Sequence, residues 1–416
     1  MRGGLLTTAA INHGEVLAPD SYSYRQLAGS LHQRHEFSRD GEPEIFRTPG
    51  YPVFLALIQW LHGGIWTALT AQVLLDVGLV MITFHLAAML AGREAGALAA
   101  LIQAVTPVAI ASCCRMLSDS LYALLLTGSV VLVVGHLRGG GWKHIILSGV
   151  TMAAGCYVRP VGVAMAAMAG LVILLSSRKF LHTMVFIAIV AMCLAPWVVR
   201  NAVIADYRGF SSFAGDSLYR FSAAEVIARE ENVDVQTVRG RLDREVAAAN
   251  LPTPGARSRY RMQRAAEIIR GNPGDYLIIH TRGDLAFWLP GATDVLEVAG
   301  VTAGQKGTLS VLHQKGLMSA AKHYFAGSPW AVIAAGALVS IFAVKMIGVA
   351  TCVLSRARLK MSAAAWLMVL VVGTSAMAGG PASTPRFRVP VASLLSVAAA
   401  VGWLRLSRGR RRKQRC

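Results

Sequence analysis

Apolar residues recur along this chain in nine long stretches, at 66–91, 95–112, 118–137, 144–158, 160–176, 180–199, 329–354, 362–379 and 389–405. Each reaches, or nearly reaches, the roughly 20 mostly apolar residues a helix needs to cross the hydrocarbon of a bilayer. The fourth and fifth are short and meet at Arg159-Pro160, where the proline predicts a tight turn or kink. Val53 to Leu61 is apolar but too short to span, and reads as an interfacial or re-entrant helix. The pattern predicts an all-α, polytopic transmembrane bundle of about nine spans. Its parts would be a first loop at 1–65, six spans over 66–199, a large polar segment at 200–328, three spans over 329–405 and a tail at 406–416. The polar segment reads as mainly helical. Ser258 to Arg270 has helical apolar spacing, and Asn272-Pro273-Gly274-Asp275 ends it and starts another helix through Phe287.

Composition agrees with the pattern. The hydrophobic share is 54% and only 15% of residues are charged, against about a quarter in soluble domains. The net charge of +19 admits nucleic-acid binding or membrane topology as its cause. Its distribution decides for topology. If the first run enters from outside, Arg93, Arg138, Lys143, Arg178, Lys179, Arg356, Arg358, Lys360 and the tail from Arg405 all face inward. Only Arg115, Arg159, Arg200, Arg386 and Arg388 face outward in short loops. Positive charge marks the cytoplasmic side, so the C-terminus is expected inside and 201–328 outside, and the basic tail reads as juxtamembrane. This orientation leaves 1–65 outside with no strong apolar run before it, and an upstream helix missing from the chain is the expectation that follows. The six cysteines avoid the polar segment, and no zinc spacing, HExxH or Walker A motif is present.

Unusual polar residues collect on the expected outer face. Asp20 lies in PDSYSYRQLA, where a carboxylate among tyrosines suits a general base or a metal, or caps the helix that follows. Arg47 and Tyr51 lie in RTPGYP before the short apolar helix and suit an anionic headgroup or an interfacial anchor. Asp119 follows Arg115 at the start of the third run, where the helix dipole favours an anion. Arg159 and Arg200 run against the charge bias; phosphate binding, packing on Trp197 or snorkelling would explain them. Arg386 and Arg388 enter the last helix in PRFRVP and could complete a cationic bowl, or anchor at the interface. Within the spans, Asp76 reads as a structural hydrogen-bonding group, and Lys345 as a side chain that snorkels inward.

The order PDSYSYRQLA, RTPGYPVFLALI, MLSDSLYALLL, YVRPVGV, APWVVRN, TPRFRVPVASLL resembles the GT-C-type glycosyltransferases of the dolichyl-phosphate-mannose protein mannosyltransferase and aminoarabinose transferase kind. The resemblance covers nearly all of the chain outside 205–325. It implies transfer of a sugar from a polyprenyl-phosphate donor to a lipid, glycan or protein acceptor, with inversion, at the outer face of a bacterial inner membrane. It implies Asp20 as general base or acceptor-orienting group, and Asp119 at an acidic position where many members carry Glu. It further implies that Arg47, Tyr51, Arg159, Arg200, Arg386 and Arg388 bind the lipid phosphate, with Asp20 facing the arginines across the donor. A divalent metal is an open possibility. Family members also carry a helix before the Asp20 loop, and sometimes a second acidic residue there, for which Glu15 is the only near neighbour. A transporter or flippase of lipid-linked sugars, or an O-antigen polymerase or ligase, would use the same donor class.

Overall fold

The computed structural model describes residues 1–12, 15–177, 180–300, 311, 319, 323, 329–356 and 362–413. Nearly all of it is helical. The nine predicted runs become Ile65–Ala91, the bent pair Arg93–Ala104 and Pro107–Cys113, Asp119–Leu137, Trp142–Val158, Gly162–Ser177, Phe180–Ala205, Pro329–Arg356, Ala363–Met377 and Ala392–Lys413. Among the described residues five helices are long and apolar enough to cross a membrane, and the bent pair, turned by 59° at its break, counts as a sixth if it is one span. The remaining three of the nine expected runs, Trp142–Val158, Gly162–Ser177 and Ala363–Met377, have 17, 16 and 15 residues. At about 1.5 Å per residue these reach only about 22–26 Å, short of a hydrocarbon layer about 30 Å thick.

The longest early helix shows why these runs form a membrane bundle. Ile65–Ala91 buries Ala68, Leu69, Gln72, Asp76, Leu79 and Thr83, while Leu74, Val77 and Met81 point outward. Large apolar groups outside, with Gln72, Asp76 and Thr83 buried inside, invert the soluble pattern, as expected where lipid replaces water. The interior face joins one continuous core that runs from Tyr24 and Tyr51 through Tyr122, Met165 and Phe186 to Val391 and Leu394.

The break in the bent pair frees main-chain carbonyls that lipid could not satisfy. The guanidinium of Arg2, on helix Arg2–Ile11, donates to Ala104 O at 2.8 Å and Gln103 O at 3.2 Å, and pairs with the fully buried Asp76. Asp76 is therefore a structural ion-pair partner. On the other side Lys345 Nζ donates to Thr106 Oγ1 at 3.1 Å and Ala392 O at 2.9 Å. Lys345 is 5% exposed, so the expected snorkelling is corrected: Thr106 at the break and Ala392 O at the start of the last helix give its ammonium partners inside the bundle.

Residues 201–300 are mainly helical, as expected, and begin within helix Phe180–Ala205, which continues through Pro196 beyond the predicted end of its run. The predicted helix at 258–270 is Pro254–Gly271, and the next is Pro273–Phe287. Tyr219, Ala224, Val238, Leu242, Val246 and Ala265 give this segment a small core of its own. Leu218–Ala223 is a π-helical turn, a rare element frequently found at functional sites.

Replacing Arg2 by Ala leaves Asp76 uncompensated and should cost about 3–5 kcal/mol of stability, the usual penalty for breaking a buried pair. Thermal unfolding in detergent micelles reads this, and Arg2→Ala with Asp76→Leu should recover most of the loss. An unchanged midpoint in Arg2→Ala would show that the pair does not form.

Candidate active site

A helix start and a hairpin turn bring the first residues of the site together. Helix Pro19–Arg34 starts at a proline, and the N–H of its N-cap residue Ala18 donates to the Ser21 hydroxyl at 2.9 Å. Asp20 in the first turn is thus not consumed by capping. After this helix, Asp40 and Gly41 both take positive φ, 54° and 82°, and close a hairpin that pairs Ser38–Arg39 with Glu42–Pro43. The carboxylate of Glu44 then accepts from Phe46 N at 2.6 Å and Arg47 N at 3.2 Å, fixing the turn that carries Arg47. Gly50 follows. A Cβ there would lie 2.7 Å from the Tyr157 carbonyl, so only glycine lets this turn reach the end of helix Trp142–Val158 and hence Arg159.

Asp20 is gripped from both sides. Arg47 Nη2 donates to its Oδ1 and Arg386 Nη2 to its Oδ2, each at 2.6 Å. Arg386 Nε also lies 3.5 Å from Asp119 Oδ2, and Arg159 Nη2 lies 3.0 Å from Asp119 Oδ1. The result is an alternating row, Arg47–Asp20–Arg386–Asp119–Arg159, with one positive charge in excess. The ion-pair distances to Asp119 are not matched by hydrogen-bond alignment: neither of its oxygens has a hydrogen-bond partner in the structure. We read the pair as Coulombic contact, because the separation, not the angle, sets that attraction. Tyr24 steadies the row. Its ring lies under the Arg47 guanidinium at 4.9 Å and its hydroxyl meets Ser118 Oγ at 3.1 Å, to which Arg159 Nε also donates at 3.2 Å.

The row borders a cavity of about 930 Å³. Asp20, Tyr24, Arg47, Arg159 and Arg386 line it on one side, with Val158, Pro160, Val161, Phe387 and Pro390 forming an apolar flank. Phe213, Tyr219, Arg220 and Phe221, around the π-helical turn, close it from the polar segment. Among the described residues no three His, Cys, Asp or Glu side chains group as metal ligands, and the guanidiniums already occupy the site's two carboxylates.

The structure thus brings together Asp20, Asp119, Arg47, Arg159 and Arg386, and separates the other three expected residues from them. Asp119, expected beside Asp20 as a catalytic carboxylate, is 0% exposed and does not line the cavity: it holds Arg159 and Arg386 from behind. Arg200 donates to Glu44 O and Phe37 O, both at 2.7 Å, and stacks 4.8 Å from Trp197. It ties the hairpin to helix Phe180–Ala205. Arg388, 3% exposed, donates to Phe287 O and to Leu289 O at 2.9 Å and packs over Phe342. Tyr51 is fully buried, bonds Gln72 through its hydroxyl and meets Tyr24 edge-on at 4.8 Å, so it props the row without touching the cavity. Sequence reasoning missed Tyr24 and the wall around Tyr219 and Phe221. Tyr24 could have been found one helical turn from Asp20; nothing in the sequence marks the wall. Asp20 also stands inside the arginine cluster, in contact with it, and not across a gap from it.

Burial pushes the Asp20 pKa up, but the charges and hydrogen bonds of Arg47 and Arg386 outweigh burial and hold it below the ordinary 3.8. Because the folded value is depressed, the carboxylate's contribution to stability is complete above the unfolded pKa of about 3.9 and is lost as pH falls through the folded value. The stability gap between wild type and Asp20→Asn should therefore stay constant from neutral pH down to about 4 and close only below that. A gap in thermal midpoint that already closes near pH 5 would contradict the depressed value.

Residues 46–199 match the family described as dolichyl-phosphate-mannose-protein mannosyltransferase. That stretch contains Arg47, Tyr51, Asp119 and Arg159; Asp20 and Arg386 lie outside it. No curated protein sequence matches the chain. Among solved structures, it is similar to the oligosaccharyltransferase AglB of Archaeoglobus fulgidus in complex with an inhibitory peptide and a dolichol-phosphate, at 11% identity and a TM-score of 0.48, over 96% of this chain and 50% of that one. It is also similar to ArnT of Cupriavidus metallidurans bound to undecaprenyl phosphate, at 14% identity and a TM-score of 0.44, over 96% of this chain and 78% of that one. The chain spans about half the length of the archaeal chain. Residues 46–199 thus resemble the same kind of family as the motif order of the sequence.

Proposed function

We propose that this integral membrane protein is a glycosyltransferase that moves a sugar from a polyprenyl-phosphate donor to a lipid, glycan or protein acceptor, in the cavity beside Asp20. The alternating row with its surplus positive charge is the observation that carries this reading. In such a transfer the acceptor oxygen bonds to the anomeric carbon as the bond from that carbon to the phosphate oxygen breaks. The lipid phosphate leaves with the electron pair and goes from one negative charge to two. Guanidiniums stabilise the charge that develops, a contribution specific to the transition state. The apolar flank at Val158, Val161, Phe387 and Pro390 suits the first isoprene units of the carrier.

Asp20 accepts the acceptor's hydroxyl proton in this scheme. While Arg47 and Arg386 both hold it, its basicity is low. A donor phosphate at Arg159 that draws Arg386 toward it loosens one of those contacts, so that donor binding raises the basicity of the carboxylate. Inversion requires the leaving phosphate on the sugar face opposite the base. Arg159, paired with Asp119 and with no described bond to Asp20, is the guanidinium that suits that side. The charge asymmetry of the loops supports an outward-facing site in a bacterial inner membrane, with the C-terminus inside.

The transporter reading has one observation in its favour, the bent pair with buried charges at Arg2, Asp76 and Lys345. Those groups are engaged with one another or with the break itself, which supports a structural role.

Donor consumption separates the two readings. With an undecaprenyl-phosphate sugar in proteoliposomes, wild-type protein should release free undecaprenyl phosphate. Asp20→Asn should slow release by about 10²–10⁴-fold, the usual scale for a general base, while donor binding persists. Full activity in Asp20→Asn removes the assigned base, and donor crossing the membrane unconsumed favours the transporter. In Arg159→Ala the turnover should fall by about 10²–10³-fold, with a smaller change in donor affinity, as for loss of one charge-stabilising donor.

A further inference from the structure

Arg386 bridges both carboxylates of the row, yet it sits on a short 3-10 turn, Pro385–Val391, preceded by another, Gly380–Ala382. Such turns have poorer hydrogen-bond geometry than α-helix and do not hold a side chain rigidly by themselves. The rigidity comes from a helix of the polar segment.

Helix Pro273–Phe287 grips this stretch at both ends. At its start Asp284 Oδ1 accepts from Gly380 N at 3.1 Å, and His280 Nε2 contacts Met377 O at 3.1 Å, at the end of helix Ala363–Met377. The approach is close: a Cβ on Gly283 would lie 2.0 Å from Gly380 O. Gly380 itself takes φ of +46°. At the far end Arg388 reaches back to Phe287 O and Leu289 O, the carbonyls at and just beyond the helix terminus. Arg386 lies between these anchors. The same polar segment supplies the cavity wall at Tyr219 and Phe221, and Arg229 Nε ties that region to Asp275 at 2.7 Å, at the start of the gripping helix.

We propose that helix Pro273–Phe287 is the positioning device for Arg386, and that Asp284 is its positioning residue. The helix holds 380–388 so that one guanidinium meets Asp20 and Asp119 together. Substrate packed against the Tyr219–Phe221 wall then acts on Arg386 through this helix. The inference rests on the proposed donor only in its binding arm.

Amide exchange read by mass spectrometry on the full chain in micelles tests it without any ligand. Asp284→Ala should speed exchange across 378–388 by about tenfold, the effect of losing one charge-assisted hydrogen bond. Asp284→Asn keeps an acceptor oxygen and should retain most of the protection, which a merely structural lesion would not predict. Gly283→Ala, which wedges the helix off Gly380, should reproduce the acceleration if Asp284→Ala does not fold. Unchanged exchange over 378–388 in the folded variants overturns the proposal. In the binding arm, undecaprenyl phosphate is the probe. Asp284→Ala and Arg386→Ala should each weaken binding by about tenfold, and the double variant should bind no more weakly than Arg386→Ala alone. Additive losses would overturn the positioning role. Wild-type protein that fails to bind undecaprenyl phosphate, with the exchange effect intact, would sink the proposed donor and leave the inference standing.

Discussion

The contact between Arg386 and Asp20 closes the molecule across 366 residues of sequence. It joins the first turn of an early helix to the entrance of the last one. Each of the five charges in the row comes from a different segment, and each is partly or wholly removed from water. A buried charge without a partner costs several kcal/mol, so none of the five segments can be misplaced without leaving one exposed to that penalty. Alternation lets three guanidiniums stand close together at all. Arg386 would be repelled by Arg47 and Arg159 if Asp20 and Asp119 did not stand between them.

The rest of the fold reads as support for that row at several depths. Behind it, Tyr24, Tyr51 and Gln72 carry a chain of contacts to the carbonyls of Cys113 and Arg115, which lead into Asp119. Beside it, Gly50 lets the Arg47 turn touch the helix that ends at Arg159. Beneath it, the break between Ala104 and Pro107 is stitched by Arg2 and Lys345. Where lipid offers no hydrogen bonds, each freed carbonyl must find a partner inside the protein, and long cationic side chains can reach it. Arginine therefore serves two purposes in this chain. Some guanidiniums, such as those of Arg2, Arg200 and Arg388, satisfy main-chain oxygens; others, such as those of Arg47, Arg159 and Arg386, face the cavity.

That division marks what could be read from the sequence. Helix class and the position of nearly every run were legible, because apolar length is a direct record of a lipid surroundings. The break at Asn272-Pro273-Gly274 is legible from turn chemistry, and the Asp40-Gly41 pair is an equally plain hairpin signal. Whether a 15-residue helix spans was not legible, since neighbouring breaks and bends set where each run ends.

The sequence by itself determined a helical membrane protein with acidic and arginine-bearing motifs in a recognisable order. Tertiary structure alone decided which arginines meet which carboxylates. Arg386 and Arg388 are two residues apart in one motif, yet the first reaches Asp20 and the second reaches Phe287 O. Asp119 was placed correctly at a helix start, but only packing shows that Arg159 and Arg386 cover it. The physical reason is that spacing along a chain fixes which face of its own helix a side chain occupies. The neighbour opposite that face is set by the whole bundle, and in a low-dielectric interior the nearest partner decides whether a charge serves structure or faces substrate.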